Sequence, residues 1–226
     1  MTVLLVVAKA PVPGAVKTRL CPPATPLQAA RIAAAALHDT LAAVRATPGV
    51  VPVLALRGRF ADAVDGAELA AATAGWPVLT QRGSGLGERL ANAHADVAAA
   101  YPGKPVLQVG MDTPQLTPAR LHAAVCRLDS ADAVLGPAVD GGWWALGLRQ
   151  PRHAAVLCDV PMSTGETGRR TWAALREQGL RVASLPFGQD VDEWADAIAV
   201  AAAVPGTRFA GQVAAVRPAL VRGGRG

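Results

Sequence analysis

Lys9, Lys17 and Arg19 lie in one segment, Lys9-Ala-Pro-Val-Pro-Gly-Ala-Val-Lys-Thr-Arg19, and no other base occurs in the first thirty residues. Arginine offers a planar fork to phosphate oxygens and lysine a point charge, so an anion is the natural partner of this loop. Lys17-Thr18 after Gly14 tempts a P-loop reading. That pattern needs glycine at 11 and 16, and this chain has Pro11 and Val16. The acids are grouped as well: Asp112 in Gly110-Met-Asp-Thr-Pro114, Asp140 in Asp140-Gly-Gly-Trp-Trp144, and Asp190-Val-Asp192. Asp140 lies in a tight turn whose glycines permit positive φ, where its carboxylate can act as general base toward a hydroxyl. Trp143 and Trp144 alternate in direction if they begin a strand, so one can pack in the core while the other forms an apolar wall. Gln81 and the glycines Gly83, Gly85 and Gly87 form a further group. A side-chain amide both donates and accepts, and glycine lets a ligand approach the backbone. The glycine spacing is GxGxG, not the GxGxxG of a dinucleotide site.

These residues need a frame. Val3 to Ala8 is continuously apolar, as in a strand buried on both faces. Thr25 can cap a helix with Pro26 in its first position. Leu27, Ala30, Ala34, Leu37, Leu41 and Val44 then mark one helical face. Further strands are expected at 50–56, 76–80, 105–110, 131–138, 143–148 and 182–186. Helices are expected at 61–75, 86–100, 117–128, 167–178 and 192–203, the last capped by Asp192. Strands alternating with helices give an α/β fold with a mostly parallel sheet, and the strands around Gly141-Gly142 add an antiparallel element. In such sheets ligands bind outside the carboxyl ends of the strands. The loops 9–25, 80–88, 111–117, 139–143 and 187–192 fall there, and they hold the residues singled out above.

Composition narrows the class. The chain has 226 residues, 51% hydrophobic and 17% charged, which excludes disorder. No apolar run approaches the roughly 18 residues of a membrane span. The N-terminus lacks a basic region and a cleavage site, so a cytoplasmic protein is expected. Net charge is +5, but Arg217, Arg222 and Arg225 supply three of those charges within the last ten residues. No basic stripe remains to suggest nucleic acid. Cys21, Cys126 and Cys158 match no zinc or redox spacing. One domain over residues 1–204 is expected, followed by a partly disordered extension over 205–226.

Five blocks in order resemble a bacterial family of GT-A-type nucleotide-diphospho-sugar transferases. They are Val7-Ala-Lys-Ala-Pro-Val-Pro-Gly-Ala-Val-Lys-Thr-Arg-Leu20, Gln81 with Gly85-Leu-Gly-Glu-Arg-Leu90, Gly110-Met-Asp-Thr-Pro114, Gly136-Pro-Ala-Val-Asp-Gly-Gly-Trp-Trp144 and Asp190-Val-Asp192. The family pattern has Tyr-Tyr where this chain has Trp143-Trp144.

The resemblance implies a three-layer α/β/α GT-A fold and a metal-assisted glycosyltransferase. Its substrates would be a nucleotide-sugar donor and a small-molecule, lipid or polyol acceptor. Lys9, Lys17, Thr18 and Arg19 would meet phosphates, and Gln81, Gly85 and Gly87 the nucleoside. Asp112 would occupy the place of the metal-binding acid, for Mg or Mn. Position 114 is Pro, so no Asp-x-Asp exists there, and Asp190 or Asp192 would complete the ligand set. Asp192 sits where a helix cap belongs, which favours Asp190. Asp140 would be the base, with Trp143 and Trp144 as acceptor wall. Two alternatives stand beside this reading: a nucleotidylyltransferase of the same fold, guanylyltransferase-like and releasing pyrophosphate, and a non-catalytic nucleotide-binding protein.

Overall fold

A computed structural model describes residues 1–216. Seven strands form one sheet in the order β3-β2-β1-β4-β6-β5-β7. They are β1 (Thr2–Lys9), β2 (Val50–Arg57), β3 (Val78–Thr80), β4 (Val106–Gly110), β5 (Ala133–Pro137), β6 (Trp143–Leu148) and β7 (Val182–Ser184). All neighbours are parallel except β6, which runs antiparallel to both β4 and β5. The expected mostly parallel sheet with an antiparallel element is therefore present. β1, with four consecutive residues at 0% exposure, lies inside it between β2 and β4.

Helices cover both faces. α1 (Pro26–Arg45), α2 (Gly66–Ala72) and α4 (Pro118–Arg127) pack on one. α3 (Leu86–Ala100), α5 (Thr167–Glu177) and a 3-10 segment over Pro151–Cys158 pack on the other. The Thr25 hydroxyl accepts from Gln28 N, the Gln28 side chain accepts from Thr25 N, and Pro26 opens α1. The alanine content of α1 has a tertiary reason. Leu37, Leu41 and Val44 face the sheet. Ala29, Ile32 and Ala36 face α6 (Trp194–Ala203) and α7 (Arg208–Ala214), so the helix is buried on two sides.

The structure departs from the sequence expectations in four places. The helix expected over 61–75 is a 3-10 turn at Phe60–Asp62 followed by α2, because Asp65 takes a left-handed conformation at φ 53° and restarts the chain. The last main helix is capped by Glu193, not Asp192: Glu193 and Asp196 form a reciprocal capping box. The 3-10 segment over 151–158 and helix α7 were not foreseen. Phe209 of α7 is fully buried against α1, so residues 205–216 pack onto the rest of the chain. The remainder of the expected extension, 217–226 with its three arginines, lies outside the described residues. Among the described residues no helix is long and apolar enough to cross a membrane.

Candidate active site

A cleft of about 710 Å³ opens at the carboxyl ends of β1, β2 and β4, roofed by the turn before β6 and by Met162–Gly165. The parallel strands place it there. Lys9 and Arg57 are register partners at the ends of β1 and β2, and Val7 is level with Gly110 of β4. Asp112 therefore stands two residues beyond a strand end. Asp190 and Asp192 approach from the segment after β7.

Lys9, Arg19, Gln81, Asp112, Asp140, Trp143, Asp190 and Asp192 all line this cleft. Arg19 is 69% exposed at the mouth and lies 3.6 Å from Asp192. Lys17 is not among the cleft-lining residues; its side chain is 11% exposed and reaches Asp112 from behind. The ammonium was expected at phosphates. In the structure it donates to Asp112 Oδ2 at 2.7 Å, to Asp192 Oδ1 at 3.4 Å and to the Val191 carbonyl. Burial alone would lower its pKa. The charge of Asp112 and its hydrogen bond, with Asp192 and Asp190, outweigh that and hold it above the usual lysine value.

Asp190 is recessed and accepts a hydrogen bond from Thr113 Oγ1 at 3.1 Å. Burial, then the like charges of Asp112 and Asp140, push its pKa well above the carboxylate range; Lys17 and Thr113 oppose this only in part. Asp112, Asp140 and Asp190 thus lie near enough for the first two to act on the third. Among the described residues, however, no three His, Cys, Asp or Glu converge closely enough to hold a metal ion by themselves.

Asp140 is exposed in the turn between β5 and β6, where its Oδ1 accepts from Gly142 N at 2.9 Å. Gly141 makes this turn possible. Its φ is +85°, and a Cβ there would stand 2.0 Å from the Gly165 carbonyl. Trp143 points to the α5 side, with Nε1 donating to Thr171 Oγ1 at 3.3 Å. Trp144 points the other way, is 2% exposed, and donates to the Pro186 carbonyl at 3.0 Å under the Arg120 guanidinium. It touches the cleft only at an edge.

Other expected residues are held differently. Gln81 Nε2 donates to the carbonyls of Ala8 and Ala55 at 2.8 and 2.9 Å, tying together the ends of β1 and β2. Thr18, Gly85 and Gly87 are not among the cleft-lining residues. Gly85 is the N-cap of α3, and Gly87 is buried against the Leu157 carbonyl. The sequence reading missed Arg57, Arg89, Gln108 and Met162–Gly165, all of which line the cleft. Arg57 could have been found, because it directly follows the carboxyl end of a strand expected over 50–56. Arg89 lies in the first turn of α3 with its Nε buried without a partner, and burial and then Arg57 lower its pKa. Nothing local marks Met162–Gly165.

A family described as uncharacterized protein conserved in bacteria, DUF2064, matches residues 40–164. The chain belongs to this family. The match spans β4 and β6 with the acids Asp112 and Asp140. No curated protein matches the chain. Among solved structures it is similar to a protein of Desulfovibrio desulfuricans G20 provisionally designated a nucleotide-diphospho-sugar transferase. The TM-score is 0.78 at 24% identity, over 95% of this chain and 94% of that one. It is similar to Rv0371c of Mycobacterium tuberculosis H37Rv in complex with manganese, with TM-score 0.51 and 19% identity over 90% and 100% of the two chains. A CMP:2-keto-3-deoxy-manno-octonic acid synthetase complexed with CTP aligns with TM-score 0.54 and 11% identity, over 88% and 96%. At these identities the likenesses establish the fold, that of nucleotide-diphospho-sugar transferases and cytidylyltransferases.

Proposed function

We propose that this protein is a metal-assisted glycosyltransferase that moves a sugar from a nucleotide-diphosphate donor to a hydroxyl-bearing acceptor. One observation carries the reading: a cleft at the strand ends sets the cations Lys9 and Arg19 against Asp112, Asp140 and Asp190. A diphosphate can approach those acids only with positive charge between. The Lys17 ammonium already sits among them as a stand-in cation, surrounded by oxygen acceptors. Mg²⁺ typically takes one or two carboxylates and completes its shell with phosphate oxygens and water. That fits a site lacking three convergent acids of its own. Asp112 and Asp190 would hold the ion, with Asp192 beside them, and the manganese complex of Rv0371c supports a divalent cation. When bound, the metal supplies Lewis-acid stabilisation of the departing diphosphate.

The chain's own residues do the rest. Arg19, exposed at the mouth, pairs with phosphate oxygens. Asp140, exposed in its turn, takes the proton of the acceptor hydroxyl, and Trp143 walls that side. The likeness to a CTP-bound synthetase favours a second reading, a nucleotidylyltransferase. The two differ in the bond that breaks. The first cleaves between the anomeric carbon and the β-phosphate, the second between the α- and β-phosphates. The stiff Pro11-Val-Pro13 where a triphosphate would call for glycines supports the first. Phosphorus NMR over a panel of nucleotide-sugars and triphosphates with Mg²⁺ or Mn²⁺ tests this. The expected result is slow release of nucleoside diphosphate from a sugar donor, lost in Asp112→Ala. Pyrophosphate released from a triphosphate with a phosphorylated co-substrate would establish the second reading.

A further inference from the structure

Lys17 poses a conflict that the proposed reaction must resolve. An ammonium has three N–H donors. Here they meet Asp112 Oδ2, the Val191 carbonyl and, at 3.4 Å, Asp192 Oδ1, all oxygen acceptors. Asp190 adds its charge from nearby. To reach this position Lys17 adopts a left-handed backbone, φ 48° and ψ 38°, which is uncommon for a residue with a Cβ. Such an oxygen shell is also the environment a small hard cation selects.

We propose that Lys17 is the resident cation of the carboxylate site and changes places with a divalent metal when nucleotide arrives. With Lys17 seated, Asp112 is occupied and a free metal ion would be repelled by the ammonium. A nucleoside diphosphate brings its own negative oxygens. Asp112 and Asp190 would then be free to hold the metal, and Lys17 would turn its N–H groups from carboxylate to phosphate. Metal and nucleotide therefore bind together, and neither binds well alone. In naming the ligand as a nucleoside diphosphate, this inference rests on the function proposed above.

The first test uses Mn²⁺ alone, titrated by electron paramagnetic resonance into the wild-type protein and Lys17→Met without nucleotide. Removing the competing charge should raise Mn²⁺ affinity by about tenfold or more. Equal or weaker binding by a folded Lys17→Met protein overturns the exchange. A second measurement does not depend on that variant folding. The chain has only three lysines, Lys9, Lys17 and Lys104, so their ammonium signals can be assigned by ¹⁵N NMR. The Lys17 signal should stay in place with Mg²⁺ alone and shift when GDP, UDP or CDP is added with it. A signal unmoved in a complex that calorimetry shows to have formed also overturns the proposal. If none of these nucleotides binds, the glycosyltransferase reading fails by itself, while the Mn²⁺ titration still decides the exchange.

Discussion

His94 of α3 donates from Nε2 to Gln108 Oε1 of β4 at 3.0 Å, with both side chains buried and Gln108 also lining the cleft. Burial holds the imidazole neutral, and its pKa falls to about 4, only slightly offset by the Gln108 hydrogen bond. The unfolded chain binds a proton near the ordinary value of about 6.5. Below that pH the unfolded state carries more protons than the folded one, so stability declines as pH falls from 6.5 toward 4. The loss from this group is on the order of 3 kcal/mol. Urea melts between pH 4 and 7 should show it. His94→Met should flatten this part of the profile, and an unchanged slope would refute the assignment.

Gln81 is a tie between strands as well as a cleft residue. Gln81→Leu leaves the Ala8 and Ala55 carbonyls without their side-chain donor. It should cost roughly 1–3 kcal/mol of unfolding free energy. Chemical denaturation measures this, and a loss confined to ligand affinity would show that the tie is dispensable.

Gly85 and Gly87 should respond oppositely to a methyl group. At Gly87 a Cβ would stand 2.0 Å from the Leu157 carbonyl, so Gly87→Ala must displace the 3-10 segment from α3. At Gly85 nothing lies within 4 Å of the added Cβ, and the backbone φ of −104° suits any residue. The expected cost is several kcal/mol for Gly87→Ala, by analogy with overpacking, and within about 1 kcal/mol for Gly85→Ala. Thermal melts of the two variants decide it.

Arg19 is free enough to take a new partner, being 69% exposed with Asp192 at 3.6 Å. Arg19→Ala should weaken a nucleoside diphosphate by roughly 1.5–3 kcal/mol, the worth of a charge-assisted bond, and leave the bare nucleoside nearly unaffected. Calorimetry with both ligands separates the two. Equal losses would assign Arg19 to the nucleoside instead.

Local chemistry alone determined much of this protein. Thr25, Pro26 and Gln28 fix the start of α1 whatever surrounds it, because cap and ring act on neighbouring backbone. The continuous apolar run of β1 could only be a strand buried on both faces, and parallel strands set the ligand crevice at their carboxyl ends. From that, Asp112, Asp140 and Asp190 are expected at one crevice, and all three line the cleft. Tertiary structure decided what no local rule reaches. β6 leaves its hairpin partner β5 on one side and inserts beside β4 on the other, a choice made by long-range pairing. Asp192 looked like a helix cap, but the chain enters α6 one residue later, and the cap passed to Glu193. Gln81 and Gly87 have structural partners that no local rule names. Neighbours distant in sequence gave one a bond to two strand ends and the other a carbonyl at its Cα. Lys17 and Asp112 are 95 residues apart. Sequence could say that each would meet an opposite charge. Only the fold, by bringing both together where the strand ends converge, made each the other's partner.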